Sequence, residues 1–191
     1  RSSAGVQYKG CGALWSLAAD NADNQGKIAV AGGIADVLTA MRDHRSNVEV
    51  QRQGCGALWT LAAHNDDNKS RIATAGGINL VLAAMREHRP DAGVQERGCR
   101  VLVSITGIDD NKIRIADAGG IADIQEAMRA HRSHAGVQEL GLDALWHLAA
   151  HNEDNQAKIA AAGGIADVLA AMRAHRSNAG VQRQGCGALW C

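Results

Sequence analysis

The stretch GCGALWTLAA at residues 54–63 constrains the fold most, because it recurs along the whole chain. It returns almost unchanged at 10–19, in altered form at 98–107 and 141–150, and cut short at 185–190. A Val-Gln pair marks the same point in each copy, at Val6, Val50, Val94, Val137 and Val181, with spacings of 44, 44, 43 and 44 residues. A repeat of this length is typical of a solenoid, in which each unit packs only on its neighbours.

The third copy is one residue shorter than the others. Where the second copy reads HNDDN at 64–68, the third reads IDDN at 108–111, without a counterpart of Asn65. Loops tolerate the loss of a residue better than helices do, so we expect a loop at this point.

One unit, taken from the second copy, predicts three helices. Asn47 is a suitable N-cap for a long helix over 48–63, whose apolar positions follow a helical spacing. A short helix over 66–75 and a medium helix over 78–88 follow. The Gly-Gly pair at 76–77 separates them and can adopt the left-handed conformation at a helix end.

This order of elements resembles the armadillo repeat, and the resemblance covers the whole chain. The matching features are Val-Gln before the long helix, Ala-Leu-Trp within it, Asn68 in the short helix, and Ile72 followed by Ala-Gly-Gly-Ile at 75–78. The resemblance implies an all-α, right-handed solenoid of three-helix repeats, whose long third helices line a concave groove. A HEAT-type solenoid of two-helix repeats is the alternative, although it has no place for the short helix and the glycine corner.

The resemblance also divides the chain, which we interpret as one solenoid over 1–191. The expected units are a partial repeat with only a third helix, three full repeats, and a repeat truncated within its third helix: 1–20, 21–64, 65–107, 108–151 and 152–191. Residues 1–15 and 176–190 are identical at 12 of 15 positions. We therefore expect either a fragment of a longer array or a chain whose open ends stack head to tail on other copies.

A helical wheel of the long helix places an apolar stripe on one side and an open face on the other. The stripe hardly changes between copies, whereas the open face changes in charge and size. Gly56 falls on this face, with Thr60 at its edge. The candidate partner-binding residues on it are Trp15, Trp59, Trp146, Trp190, Arg52, Glu96, Arg100, Glu139, Asp143, His147 and Arg183.

Two interpretations of the open face remain. Tryptophans dominate the energetics of binding surfaces, and the charged side chains would meet opposite charges on a mixed-charge partner. Alternatively, the face is only solvated, and each Trp lies flat against the next repeat and rigidifies the stack. For the tryptophans both interpretations can hold at once.

The resemblance also limits the mode of binding. In nuclear-import armadillo proteins, an Asn four residues after this Trp clamps the backbone of an extended peptide. The equivalent positions here are Ala19, Ala63, Gly107 and Ala150, which argues against an import-receptor function. The glutamines of the Val-Gln pairs recur at the margin of the core, so we expect them to make structural hydrogen bonds.

Composition excludes several classes of partner. The formal net charge is zero, so we expect neither a nucleic-acid nor a membrane surface, since both favour a basic excess. No apolar run approaches the roughly 20 residues of a membrane span. Cys11, Cys55, Cys99 and Cys186 occupy one repeat position on helices too far apart for disulfides. Free thiols fit an intracellular, cytoplasmic protein.

One stripe could hold a metal ion, because Glu139, Asp143, His147 and His151 follow one another at spacings of four. The set occurs once, and a solvated polar face explains it more simply, so we expect no metal site and no cofactor. No nucleophile with a paired histidine and no phosphate-binding loop is found in the sequence. We therefore expect no catalytic residues and no enzymatic activity.

The sequence thus predicts a non-enzymatic scaffold that binds an extended peptide or a partner helix on the concave, Trp-bearing face. The alternative is a structural spacer or self-assembling segment that associates through its open repeat ends.

Overall fold

The computed structural model describes residues 3–190, and every regular element within them is an α-helix. The helices are α1 Ala4–Ala18, α2 Ala22–Val30, α3 Gly33–Asp43, α4 Val48–Ala62, α5 Asp66–Thr74, α6 Gly77–Glu87, α7 Ala92–Ile105, α8 Asp109–Asp117, α9 Gly120–Ala130, α10 Ala135–Ala149, α11 Glu153–Ala161, α12 Gly164–Ala174 and α13 Ala179–Trp190. After α1 they follow one another in threes, as an armadillo-type solenoid requires. The repeat boundaries given above remain a prediction.

The helix ends lie where the local sequence places them. The Asn47 side chain accepts a hydrogen bond from the Val50 amide at 3.0 Å and caps α4, as predicted. Asn65 caps α5 through the amide of Asn68, also at 3.0 Å. Gly76, between α5 and α6, has φ +84°, a left-handed conformation that favours glycine. The predicted helix bounds of this unit are therefore correct to within a residue.

The shortened third repeat differs at the corner between α7 and α8. α7 has 14 residues, whereas its equivalents α4 and α10 have 15. In the other repeats the corner residue Asp20, His64 or His151 has positive φ, and an Asn follows to cap the short helix. Here Ile108 stands at the cap and its side chain accepts no hydrogen bond. The lost residue thus falls in the connection, as predicted.

The helices form stacked layers. The five long helices α1, α4, α7, α10 and α13 lie side by side in that order. The medium helices α3, α6, α9 and α12 form a second row behind them, and each contacts the long helix that follows it in the chain. Apolar side chains buried between these two rows form one continuous core. One face of the long-helix row consequently stays open.

A methionine and a glycine set the distance between the two rows. A Cβ at Gly54 would lie 2.5 Å from Met41 Cγ of the preceding medium helix, so only glycine fits at this point. The same close approach recurs for Gly98 with Met85, and again in the later repeats. Helix rows can pack this closely only where one side chain is missing.

The repeated glutamines tie the two rows together. Gln51 Nε2 donates to the carbonyls of Met41 and His44, both at 2.9 Å. The equivalent pairs of bonds are made by Gln95, Gln138 and Gln182. These bonds satisfy carbonyls at the ends of the medium helices, which have no partner within their own helix. The predicted structural role of the glutamines is confirmed.

Two positions placed on or beside the open face are in fact buried. Gly56 lies beneath the Trp15 ring of the preceding long helix. The Thr60 hydroxyl bonds back to the carbonyls of Gly56 and Ala57 and is covered as well. A wheel drawn for a single helix was wrong here because it ignores the neighbouring helix.

Cys11, Cys55, Cys99 and Cys186 are free thiols, of which the first three are buried. Within residues 3–190, no helix is long and apolar enough to cross a bilayer.

Candidate functional site

The tryptophan rings on the open face are partly packed against the next long helix and partly exposed. Trp15 lies over Gly56 of the next long helix, and Trp146 lies in the same way over Gly187. Both rings are half-buried. The missing side chains at Gly56 and Gly187 let the rings lie flat on the neighbouring backbone. The stacking interpretation of these two residues is therefore correct, while part of each ring remains open.

Two arginines of α7 cover tryptophan rings of the preceding long helices, Arg100 that of α4 and Arg97 that of α1. The guanidinium carbon of Arg100 lies 4.5 Å from the Trp59 ring centroid, and that of Arg97 lies 4.6 Å from the Trp15 centroid. Cation–π contacts of this geometry contribute roughly 0.5–1 kcal/mol at exposed sites and more where they are desolvated. Burial lowers the pKa of Arg97. Trp59 and Arg100, both predicted as site residues, are thus in contact with each other.

The Arg52 side chain extends to the start of the next long helix, α7. Arg52 Nε donates to Asp91 Oδ1 at 2.9 Å, and Asp91 in turn caps α7 through the Val94 amide. The hydrogen bond from Arg52 lowers the pKa of Asp91, and the same bond raises that of Arg52. Arg52 also pairs with Glu49. Its charge is therefore already neutralised within the chain.

Glu96 and Glu139 stand at the repeat position of Arg52, and their side chains also extend to the start of the next long helix. The Glu96 carboxylate occupies the space beside Gly136, in the first turn of α10, and the Glu139 carboxylate does the same beside Gly180 of α13. A negative charge is favourable at a helix N-terminus. Glu96 and Glu139 thus contribute to the contact between successive repeats.

Asp143 and His147 form a pair on α10. His147 Nε2 lies 3.4 Å from Asp143 Oδ1, and the His147 ring stacks on Trp146 at 5.3 Å between centroids. Burial raises the pKa of Asp143, and the charges of His147 and Arg183 oppose that shift. Glu139, by contrast, points toward Gly180. The side chains of the stripe Glu139, Asp143, His147 and His151 therefore do not converge, and residues 3–190 contain no group of three or more His, Cys, Asp or Glu side chains placed to hold a metal ion.

Two predicted site residues lie at the far end of the long-helix row. Trp190 is 86% exposed, because α13 is the last long helix of the described residues, and Arg183 is exposed as well. Cys191, which the wheel places in the Thr60 column, lies outside the described residues, as do residues 1–2 of the predicted partial repeat.

The open face contains two adjoining hollows near the carboxyl ends of the long helices. One of about 470 Å³ runs from Trp59 to His147, and one of about 420 Å³ runs from Trp15 to Trp59. They share Trp59, Ala63 and His64. We call the two together the Trp groove. The groove is lined by the small residues at positions 19, 63, 107 and 150. Because these positions carry Ala or Gly instead of the larger Asn, the groove is open there.

Two lysines in the groove wall were not predicted as site residues. Lys69 and Lys112 line the larger hollow, and their side chains are mostly buried. Their aspartate partners, Asp66 and Asp109, are largely exposed. The Lys112 Nζ group also donates to the Ala150 carbonyl at 3.0 Å. No carboxylate lines this hollow, which also contains His64, His147 and His151.

The sequence does hold a signal for these lysines. Both stand one residue after the repeated Asn of the short helix, at Asn68 and Asn111. Those asparagines are buried and bond to carbonyls at the end of the preceding long helix. Consequently, the next residue is held close to that helix end, which forms the groove wall. The wheel of the long helix alone does not include it.

A comparison with protein-family models matches residues 3–167 to the LRRK2 ARM repeat. A comparison with curated proteins finds no match.

Solved structures with a similar fold share little sequence with this chain. An engineered protein superimposes with a TM-score of 0.87 at 24% identity over 99% of this chain, which spans 44% of that protein. A designed armadillo repeat protein in complex with the peptide (KR)4 gives 0.60 at 14% identity over 99% of both chains. A structure from work on the interaction between cadherin and β-catenin gives 0.56 at 15% identity over 92% of this chain and 40% of that one. The family model covers most of the sequence and the structures show the same fold, so the chain belongs to the armadillo repeat family.

Proposed function

We propose that this chain is a non-enzymatic protein-binding module that takes an extended segment of a partner into the Trp groove. The armadillo fold is generally a scaffold for protein binding. The observation that supports this face is the pair of adjoining hollows, of about 470 and 420 Å³, that share Trp59, Ala63 and His64. Together they form an elongated depression across the four long helices α1, α4, α7 and α10, whereas a small-molecule site is usually a single enclosed cavity.

Half-buried aromatic rings give this seat its expected affinity. Trp15 and Trp59 line the groove, and Trp146 lies beside its end, stacked on His147; each ring is half-buried and partly packed against the next repeat. A ring held rigid in this way loses little entropy on binding. Large aromatic anchors of this kind dominate interface energies. The stacking role of the tryptophans therefore supports the binding role.

The charges of the larger hollow favour an acidic segment, whereas Asp20 lines the smaller hollow. The designed armadillo repeat protein compared above has the basic peptide (KR)4 as its partner. In this chain, Lys69 and Lys112 line the larger hollow and no carboxylate does. A glutamate or aspartate of the partner would meet these ammonium groups in a partly desolvated place, where charge pairing is stronger than at a free surface. Arg52 is held by Asp91 of the next repeat, whereas Lys69 and Lys112 are paired with largely exposed aspartates of their own short helices. We therefore assign the recognition of carboxylates to the lysines, whose present partners can be exchanged at lower cost.

The first test fills the groove. Peptides are selected from a random displayed library against the wild-type chain, and their affinities are measured for two variants. Ala63→Trp places a bulky ring at the junction of the two hollows, whereas Ala122→Trp adds the same ring at an exposed position on α9. We expect Ala63→Trp to weaken binding at least tenfold and Ala122→Trp to leave it unchanged. If no peptide is recovered, or if the recovered peptides bind Ala63→Trp normally, the proposal is wrong.

The second test concerns charge. The selected peptides should be enriched in Asp and Glu, and Lys69→Gln should weaken them and reduce the salt dependence of their affinity. Lys27→Gln is the control, because Lys27 pairs with Asp23 on α2 outside the groove. Equal effects of the two substitutions would refute the acidic preference and leave the groove itself in place.

Replacing Trp59 and Trp146 together with Ala should abolish binding while helicity survives.

The alternative function, a spacer or self-assembling segment, is also supported by one observation. The first long helix, α1, has an uncovered face with exposed apolar side chains.

A further inference from the structure

The larger hollow of the Trp groove, between α4 and α10, coincides with the repeat that departs most from the others. The column of Trp59 reads Val103 on α7, and the position of Ala63 reads Gly107. The one-residue loss also falls here, in the connection between α7 and α8. Each of these changes leaves more open space on the wall of this hollow.

The charged residues of the groove change at the same place. The residue that follows the buried asparagine of each short helix reads, in chain order, Gln25, Lys69, Lys112 and Gln156. The two lysines line the larger hollow, whereas Gln25 lines the smaller one. At the corners after the long helices, Asp20 lines only the smaller hollow and His151 only the larger. Space and basic groups therefore increase together in one hollow.

Each lysine extends from its short helix to the end of the next long helix. The Lys69 ammonium group lies beside Gly107, where a Cβ would stand 2.9 Å from Nζ. The Lys112 ammonium group donates to the Ala150 carbonyl, at the end of α10. The two side chains are only 14% and 11% exposed. Two ammonium groups are thus held largely out of solvent on the wall of one hollow.

The aspartate partners of these lysines leave donors available. Lys69 pairs with Asp66 at 2.7 Å and Lys112 with Asp109 at 2.9 Å, but both aspartates are largely exposed and the lining of the hollow contains no carboxylate. Exposed carboxylates hold an ammonium group weakly. Among the contacts of residues 3–190, Lys69 uses one of its three N–H groups and Lys112 uses two. Three N–H groups of the pair therefore remain for a ligand.

We propose that the larger hollow binds a phosphorylated serine or threonine side chain of the partner segment. A phosphate group carries a charge of roughly −1.5 to −2 at neutral pH and has three acceptor oxygens. It therefore matches two ammonium groups better than a single carboxylate does. His64, His147 and His151 line the same hollow and can supply further N–H donors. The hollow thereby makes the peptide binding proposed above, on which this assignment rests, dependent on phosphorylation of the partner.

The first test compares three synthetic peptide arrays with random residues around one fixed position, which is phosphoserine, serine or glutamate. The phosphoserine peptide that binds best is then measured beside its serine and glutamate versions by fluorescence anisotropy at one salt concentration. We expect the phosphorylated version to bind at least tenfold more tightly than the serine version and at least threefold more tightly than the glutamate version. Equal affinities of the three versions overturn the phosphate assignment and leave the peptide-binding function in place.

Four variants then locate the phosphate group. Lys69→Gln and Lys112→Gln introduce the residue that the flanking repeats carry at this position, so we expect both to fold, and each should weaken the phosphopeptide at least tenfold while hardly changing the serine version. Asp66→Asn releases the Lys69 ammonium group and should strengthen the phosphopeptide severalfold. Asp67→Asn is the matched control, because it removes the same charge from the same helical turn and Asp67 makes no ion pair within residues 3–190. Equal effects of the two Asn variants, or normal binding to both Gln variants, contradict the assignment.

Inorganic phosphate separates this assignment from the peptide-binding function. Titrated alone, it should shift the amide NMR signal of Gly107 in the wild-type chain and not in the variant with both lysines replaced by Gln, and sodium chloride at equal ionic strength should shift neither. Absence of the shift overturns the assignment, and peptides that still depend on Ala63 would show that the groove binds them without it. A shift while all three arrays fail supports the anion site and contradicts peptide binding.

Discussion

The helices α1 and α4 carry almost the same sequence in different surroundings. Val50 of α4 is fully buried, whereas Val6 of α1 is 64% exposed; Leu61 is fully buried, whereas Leu17 is 55% exposed. Gln51 makes two hydrogen bonds to the medium helix α3, whereas within residues 3–190 the equivalent Gln7 makes none of this kind. Both segments nevertheless form helices of 15 residues.

This contrast separates what one repeat encodes from what its neighbours provide. The helical conformation follows from the local sequence, since α1 adopts it with one side uncovered. Burial comes from the stack. In a solenoid, stability is therefore approximately a sum of terms for each repeat and each interface, and the same substitution should have different effects in α1 and in α4.

The largest difference is expected for a core leucine. Leu61→Ala leaves a cavity between the helix rows and should lower the free energy of unfolding by about 2–5 kcal/mol. Leu17→Ala removes an exposed side chain and should change it by less than about 0.5 kcal/mol. Urea unfolding followed by circular dichroism measures both. Similar losses for the two variants would show that α1 is covered in solution.

A glycine substitution should change sign between the two helices. Gly54→Ala puts a Cβ 2.5 Å from Met41 Cγ, and the resulting overpacking should cost about 1–3 kcal/mol. Gly10→Ala has open space and should stabilise the chain by up to about 1 kcal/mol, through higher helix propensity. Thermal melts of the two variants at one low protein concentration distinguish these outcomes. Stabilisation by Gly54→Ala would mean that Met41 moves away without cost.

A glutamine substitution probes the same contrast through hydrogen bonds. Gln51→Ala leaves the carbonyls of Met41 and His44 without their shared donor and should cost about 1–2 kcal/mol. Gln7→Ala removes no such bond and should be neutral in the monomer. Urea unfolding checks both, and a matching loss for Gln7→Ala would show that the Gln7 side chain is hydrogen-bonded in the folded chain.

The sequence predicted what depends on a single repeat. The helix bounds of the second unit, the Asn47 cap and the Gly76 corner all follow from signals within a few residues. The glutamine bonds were also predicted, because an unchanging polar residue at the core margin needs a partner. These features use one chain segment and its immediate neighbour.

What depends on the fit between neighbouring repeats was harder to predict. Gly56 is buried because Trp15, more than 40 residues earlier, lies over it, and a wheel of one helix cannot include that ring. Lys69 reaches the groove from the short helix that follows α4. Arg52 was predicted to contact a partner, but in the structure it is ion-paired with Asp91, which belongs to the next repeat. The binding residues therefore stay a prediction, whereas the fold is established.

The smallest difference between α1 and α4 concerns their equivalent cysteines. Burial raises the pKa of Cys11 to about 11 and that of Cys55 to about 12, whereas a thiol in an unfolded chain has a pKa of about 8.5. Both groups are protonated in the folded chain, so their contribution to stability is complete below pH about 8.5. As pH rises above that value, the unfolded chain loses thiol protons first, and the free energy of unfolding falls. The fall should end sooner for Cys11, whose pKa in the folded state is lower.

Cys55→Ala should therefore flatten the loss of stability between neutral and alkaline pH, and Cys11→Ala should flatten it slightly less. Cys186→Ala is the control, because that thiol is exposed. Urea unfolding at several pH values measures the slopes, and differences between variants cancel the titration of lysines and tyrosine, which all variants share. An identical slope in Cys55→Ala and wild type would mean that water reaches this thiol in the folded state. The contact between α1 and α4 would then be looser than the packing around Cys55 requires.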